Sequence, residues 1–299
     1  MTAFTKPVTE IIKERFSCRS YVPTPIDPVQ QDQLRDVLSA SAVGPLGTRM
    51  RFELAVAREQ DWTELKGLGT YGFIRGASGY IIGALGQGKK NMEEYGYLLE
   101  HIVLGATDMG LGTCWLGGSF SKSSFSRKIS LCADEAIPAV LAIGYIANKR
   151  RWLDSFIRRR AGSDNRLPWG NMFFERNFQT PLSSEEAGAY ATALEMIRLG
   201  PSASNKQPWR VVRDGNRWHF FVQRSKGYAN RNMALLRLAD LQRVDMGIAM
   251  CHFNLTAQEI GFVGQWVVAE PDIVRPDVLT EYIVSWVQQD QAQECVGSR

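Results

Sequence analysis

The sequence predicts an α+β fold made twice over in tandem, and three observations predict it. The first is an internal repeat. Shifted by 156 positions, Pro25-Ile26-Asp27 falls on Pro181-Leu182-Ser183, Gln30 on Glu186, and Gly44-Pro45 on Gly200-Pro201. Further along the offset becomes 151, and Gly96, His101, Gly110 and Trp115 fall on Gly247, His252, Gly261 and Trp266. A period of this length is a whole-domain duplication rather than a solenoid repeat, and the change of offset is one loop deletion. The second observation is that strand-like and helix-like segments coexist without the regular alternation of a doubly wound sheet. The third is size: 299 residues, 44% hydrophobic and 22% charged, leave room for two units of about 150 residues, each with its own core. The expected halves are 8–150 and 168–290.

Val8, Ile11, Ile12 and Phe16 recur at helical spacing and predict an amphipathic helix ending near Ser17. Asp27 then supplies an acceptor for a new first turn, Pro28 is pre-set for the first helical position, and Gln30 stands where a reciprocal cap would. This second helix is expected to reach about Ala42. Ser183 with Glu186 repeats the capping pattern in the second half. Short apolar or β-branched runs at 52–57, 80–84, 140–145, 210–212 and 219–222 read as strands, and Asp214-Gly215 marks a hairpin between the last two. The longest helical patterns, 95–109 and 245–260, are apolar on most faces and should be the central, buried helices. The stretch 149–172 is the natural joint between halves. Phe156, Trp169, Phe173 and Phe174 make it too apolar for a free linker.

Composition excludes several classes. The net charge is only +4, and the basic runs Lys149-Arg150-Arg151 and Arg158-Arg159-Arg160 are too short for a nucleic-acid footprint. No apolar stretch approaches the length of a membrane span, and 1–9 lacks the apolar run of a signal peptide. Cys18, Cys114, Cys132, Cys251 and Cys295 show no paired spacing, which fits a reducing cytosol and a cytoplasmic location. With three histidines and no Cys/Asp/His cluster at ligand spacing, no metal is expected.

Three motifs carry chemistry. Arg15-Phe16-Ser17-Cys18-Arg19 sets two guanidinium groups four residues apart around a hydroxyl, either an anion site with forked donors or an ordinary basic helix end. Gly200-Pro201-Ser202-Ala203-Ser204-Asn205-Lys206-Gln207-Pro208-Trp209 is dense in hydroxyls and amides, either a ligand loop or a turn cluster. Gly110-Leu111-Gly112-Thr113-Cys114-Trp115-Leu116-Gly117-Gly118 lets backbone N–H groups approach a flat ligand, or is a helix cap and a packed turn. Its repeat, from Gly261 to Trp266, keeps the cap and lacks the Gly-Gly pair. His101 and His252 read as core histidines, and Cys114 as a small buried hydrophobe.

In this order the three motifs, with Tyr21 after the first and Ile143-Gly144-Tyr145 after the third, resemble the nitroreductase family of flavoproteins, and most closely its fused single-chain members. The resemblance implies a nitroreductase-like α+β flavoprotein fold in which one chain mimics the family homodimer and holds FMN between its halves. It implies cofactor contacts from Arg15, Ser17 and Arg19, from Trp115, Leu116, Gly117 and Gly118, and from Pro201, Ser202, Ala203 and Asn205. Arg158 and Arg160 resemble the family's distal basic pair. By the 156 offset, Ser202 and Asn205 correspond to Leu46 and Arg49, and Arg15, Ser17 and Arg19 to Asn171, Phe173 and Glu175, so the second site should have lost its donors. The implied activity is hydride transfer from NAD(P)H through flavin N5 to a small electron-poor acceptor, with no side-chain catalyst. A chain carrying its own pseudo-dimer can work as a monomer. The alternatives are a flavin-binding or flavin-modifying protein of the same fold without reductase activity, or a non-catalytic interaction module.

Overall fold

A computed structural model describes residues 4–58, 62–65, 67–147, 165–226 and 239–289. Helix α1 (Val8–Glu14) stops one turn earlier than its spacing predicts, because Arg15 already adopts extended geometry, φ −60° and ψ 131°. The chain then runs extended, and Ser17 bridges Thr113 in parallel while the Cys18 N–H donates to the Thr113 carbonyl at 2.8 Å. Helix α2 (Pro28–Ala40) starts as expected, with Asp27 accepting from the Val29 N–H. Gln30 does not reciprocate: its amide donates to the Met109 carbonyl and accepts from the Tyr145 hydroxyl, tying α2 to the body instead.

The first sheet contains β1 (Met50–Val56), β2 (Gly79–Leu85), β3 (Gly112–Leu116) and β4 (Val140–Gly144), in the order β1-β2-β4-β3, all antiparallel. Between them lie α3 (Asn91–Asp108) and α4 (Lys122–Lys128). After the joint, β5 (Phe173–Glu175) leads to α5 (Ser184–Ala187) and α6 (Ala191–Leu199). Then come β6 (Trp209–Asp214), β7 (Arg217–Gln223), α7 (Leu241–Glu259), β8 (Gly264–Val267) and β9 (Thr280–Gln288). The second sheet has the order β5-β6-β7-β9-β8. Without β5 it repeats the first, with β6, β7, β9 and β8 in the places of β1, β2, β4 and β3. The Ser183–Glu186 capping box is formed in full, and β6 turns into β7 through the two residues after Asp214.

Helices α3 and α7 pack against each other at the centre, which explains why both are buried along most of their length. One apolar core runs through both halves: Leu99, Ile102 and Val103 of α3 share it with Met250, Phe253 and Leu255 of α7, and α1 of the first half reaches α6 and α7. Among the described residues no helix is long and apolar enough to cross a membrane.

The structure departs from the sequence pattern in two places. The Gly112–Leu116 segment is a strand, not a turn; its glycine lets Cys18 approach, since a Cβ there would lie 2.9 Å from the Cys18 Cβ. The upstream correspondence also fails. Ser17 lies beside β3, whereas Phe173 pairs with Val211 on β6, at the opposite edge of the corresponding sheet. Asn171, Phe173 and Glu175 are therefore not structural counterparts of Arg15, Ser17 and Arg19. The repeat holds from α2 onward.

Candidate functional site

Three segments distant in sequence close around one cleft of about 680 Å³. The first is the extended run after α1. In extended chain, alternate residues share a side; Arg15, Ser17 and Arg19 line the cleft, Phe16 joins them, and Cys18 is buried in the core beneath the first sheet. The convergence expected from a helical turn is thus achieved by strand periodicity. The second is the end of β3: Trp115 and Leu116, then Gly117, Gly118 and Ser119. Gly117 packs against the end of the Leu241 side chain at the start of α7, which a Cβ there would displace, its nearest methyl being 2.5 Å away.

The third segment is the loop from Pro201 to Asn205, on the second half. It curls tightly because Ser204, Asn205 and Gln207 all take left-handed backbone angles, φ 51°, 53° and 48°. Side chains hold that shape. The Ala203 N–H donates to both carboxylate oxygens of Asp245, at 3.0 and 3.1 Å, and the Gln207 N–H donates to the Ser202 hydroxyl at 2.9 Å. Arg166 donates from one guanidinium nitrogen to the Asn205 side-chain oxygen at 3.0 Å and from another to the Leu199 carbonyl at 3.1 Å. The Asn205 amide also donates to the Asn165 carbonyl at 2.8 Å. Both ends of that amide are therefore engaged within the protein, whereas the Ser202 hydroxyl keeps its own hydrogen to give.

The remaining walls are Tyr71 and Phe73 from the loop before β2 and Leu241, Val244, Asp245 and Ile248 from the first turns of α7. Burial holds the Asp245 carboxyl well above the usual carboxylate range, although the Ala203 N–H opposes this. The Arg15 side chain is only 7% exposed, its Nε lies 3.7 Å from Glu100 Oε1, and burial lowers its pKa from the ordinary value. Three guanidinium groups, a set of hydroxyls and a glycine-lined backbone on one side, with aromatic and aliphatic surface on the other, suit a ligand with an anionic end and a flat apolar body.

Every described residue expected at the site lines this cleft: Arg15, Ser17, Arg19, Trp115, Leu116, Gly117, Gly118, Pro201, Ser202, Ala203 and Asn205. Arg158 and Arg160 lie outside the described residues. Arg166 was missed because it sits in a basic joint that gave no motif. Tyr71 and Phe73 were missed because a glycine-rich loop gives no periodicity, although two aromatics there were visible. Among the described residues no group of His, Cys, Asp and Glu is arranged to hold a metal.

A family model described as "Putative TM nitroreductase" matches residues 7–257. The fold is similar to that of a crystal structure described as "a putative nitroreductase" from Thermotoga maritima, at 21% identity and TM-score 0.57, over 96% of each chain. A Bacteroides fragilis structure described as "Nitroreductase with Bound FMN" aligns with 49% of this chain and 92% of its own, at 21% identity and TM-score 0.38. One from Desulfovibrio desulfuricans, described as "a putative nitroreductase in complex with fmn", aligns with 50% and 95%, at 23% identity and TM-score 0.38. No curated protein matches the sequence.

Proposed function

Since the chain belongs to the nitroreductase family, we propose that it is an FMN-dependent oxidoreductase with one flavin site, built jointly by its two halves. The observation that carries this reading is the meeting of 15–19 and 115–119 from the first half with 201–205 from the second around a single cleft.

The donor set fits FMN. Arg15 and Arg19 offer charge-assisted hydrogen bonds to a phosphate or a ring oxygen. Arg15 Nε is buried with no hydrogen-bond partner and only a 3.7 Å approach to Glu100, so the protein leaves hydrogen-bonding capacity of this guanidinium unused. Ser17 and Ser202 present hydroxyls to a ribityl chain. Gly117 and Gly118 bring main-chain N–H groups to the cleft with no Cβ between. Leu241, Val244 and Ile248 supply the apolar surface that a flat tricyclic ring needs. Bound there, FMN would supply the redox chemistry for hydride transfer between NAD(P)H and an electron-poor acceptor such as a nitroaromatic or a quinone. The chain's own residues bind, orient and shield. Tyr71 is 71% exposed and Phe73 45% exposed, and both stand at the open wall, where a planar nicotinamide or acceptor can stack. No side-chain acid is needed in this reading, because solvent reaches the open wall.

The test is an absorbance spectrum of the protein after incubation with FMN, followed by NAD(P)H oxidation with an added nitroaromatic or quinone. A perturbed flavin spectrum with acceptor-dependent oxidation supports the reading. A flavin that binds and is never reduced would place the chain among flavin carriers. A protein that stays colourless would leave an interaction module.

A further inference from the structure

The duplication supplies an internal control, because each side of the molecule shows what the other does without. Asp245 on α7 corresponds to Glu94 on α3 by the 151 offset. Asp245 accepts from Ala203, and Glu94 accepts from the Leu46 N–H at 2.7 Å and meets the Thr48 hydroxyl. Present on both sides, this carboxylate holds a loop and implies nothing about a ligand.

Glu100 is different, because its counterpart is Cys251. The Glu100 side chain is fully buried and three nitrogens converge on it. Trp115 Nε1 donates to Oε2 at 2.9 Å, His252 Nε2 lies 3.0 Å from Oε1, and Arg15 Nε lies 3.7 Å from Oε1. Trp266 and His101 are the counterparts of Trp115 and His252. Trp266 Nε1 and His101 Nε2, the two atoms that a carboxylate at 251 would serve, are buried without a hydrogen-bond partner. The arrangement of rings is kept on both sides, and the acid stands only under the cleft.

Hydrogen-bond bookkeeping then fixes a proton. His252 Nδ1 lies 2.8 Å from the Met196 carbonyl, which only accepts, so Nδ1 carries a hydrogen. If Nε2 held a bare lone pair, it would face a carboxylate oxygen at 3.0 Å in a fully buried setting, where an unpaired polar contact is costly. The groups that face the pair are Arg15 from the extended segment, Trp115 from β3, Cys251 beside His252 and the Met196 carbonyl from α6.

We propose that Glu100 and His252 hold one proton between them, forming an electrically neutral unit across the two halves and leaving Arg15 as an uncompensated cation matched to an anionic group of the ligand. Glu100 does not line the cleft. It is a positioning residue, acting through Arg15 and Trp115. The identity of the ligand rests on the flavin reading above, whereas the shared proton does not.

Two measurements test this. In protein free of FMN, 15N-labelled histidine is observed by NMR, with His252 assigned by substituting His101 and His219. A proton on Nε2, or the shift of an Nε2 accepting a strong hydrogen bond, is expected; an Nε2 with a free lone pair would overturn the proposal. The second is FMN titration of Glu100→Gln, whose amide donates to His252 and accepts from Trp115 without net charge, as the pair does. Its dissociation constant should stay within about threefold of the natural protein's, whereas a bare counter-ion to Arg15, once neutralised, would give binding at least about tenfold tighter. Glu100→Leu, which frees Arg15 and Trp115, should weaken FMN by about tenfold or more. Unchanged binding in that variant would also refute the positioning role. If the natural protein binds no FMN, the flavin reading fails, and the NMR result still decides the proton.

Discussion

Gly96 of α3 and Gly247 of α7 meet backbone to backbone. A Cβ added to Gly96 would fall on the Val244 carbonyl, and one added to Gly247 on the Glu93 carbonyl. The two glycines are repeat counterparts, so the central crossing sits on the pseudo-twofold between the halves. This contact fixes how closely the halves dock and therefore how far the Pro201–Asn205 loop stands from Arg15.

Replacing either glycine by alanine should force the helices apart and repack a fully buried interface. The expected loss is about 1–3 kcal/mol or more, read as a shift of the denaturant midpoint at constant slope. FMN affinity should fall with it, since the cleft has walls on both halves. A variant of wild-type stability would show that the helices can separate freely.

Arg19→Ala should weaken FMN by about 10- to 150-fold, the equivalent of about 1.5–3 kcal/mol for a charge-assisted hydrogen bond. Arg176→Ala is the comparison: its side chain is 79% exposed and lies beyond the edge strand of the second sheet. Equal effects on FMN titration would mean that the cleft is not the flavin site.

Acid stability should report His101. Burial pushes this imidazole from 6.5 down to about 4. The folded state keeps it neutral where the unfolded state binds a proton, so the unfolded chain takes up more protons between those values and stability falls as pH drops from about 6.5 towards 4. The group alone accounts for up to roughly 3 kcal/mol across that window. Denaturation series at neutral and acid pH should show a shallower loss in His101→Gln; an identical slope would show that the group does not control it.

Residues 1–165 expressed alone should be poorly soluble and free of flavin. The truncation uncovers the face of α3 that α7 covers and removes the Pro201–Asn205 loop. A soluble first half binding FMN as the full chain does would refute a shared site.

Much of this architecture was legible in the sequence, for identifiable reasons. The central helices declare themselves because they are apolar all round, and the β6–β7 hairpin because Asp214-Gly215 suits a two-residue turn. The offset found Gly96 and Gly247 because a backbone crossing tolerates no other residue. Strands β8 and β9 were missed, since Gly264–Val267 is too short to show a period and Thr280–Gln288 mixes polar with apolar residues. The site motif at Arg15, Ser17 and Arg19 was legible from residue chemistry alone: helical spacing would join only the two arginines, and the extended chain after Glu14 is what puts all three on one side. The Glu100–His252 contact was not, because its partners lie 152 positions apart and each alone reads as a helix residue. Tertiary packing gives that pair its meaning.

If two halves make one flavin site, the protein carries one flavin per chain, and the ratio can be counted. The chain is saturated with FMN, freed of excess, denatured, and its released flavin measured by absorbance against protein concentration. A ratio near one is predicted, because the Pro201–Asn205 loop, Gly117-Gly118 and the Arg15–Arg19 segment meet at one cleft. A ratio near two would show a second working site, and a ratio near zero would show that this cleft does not hold FMN.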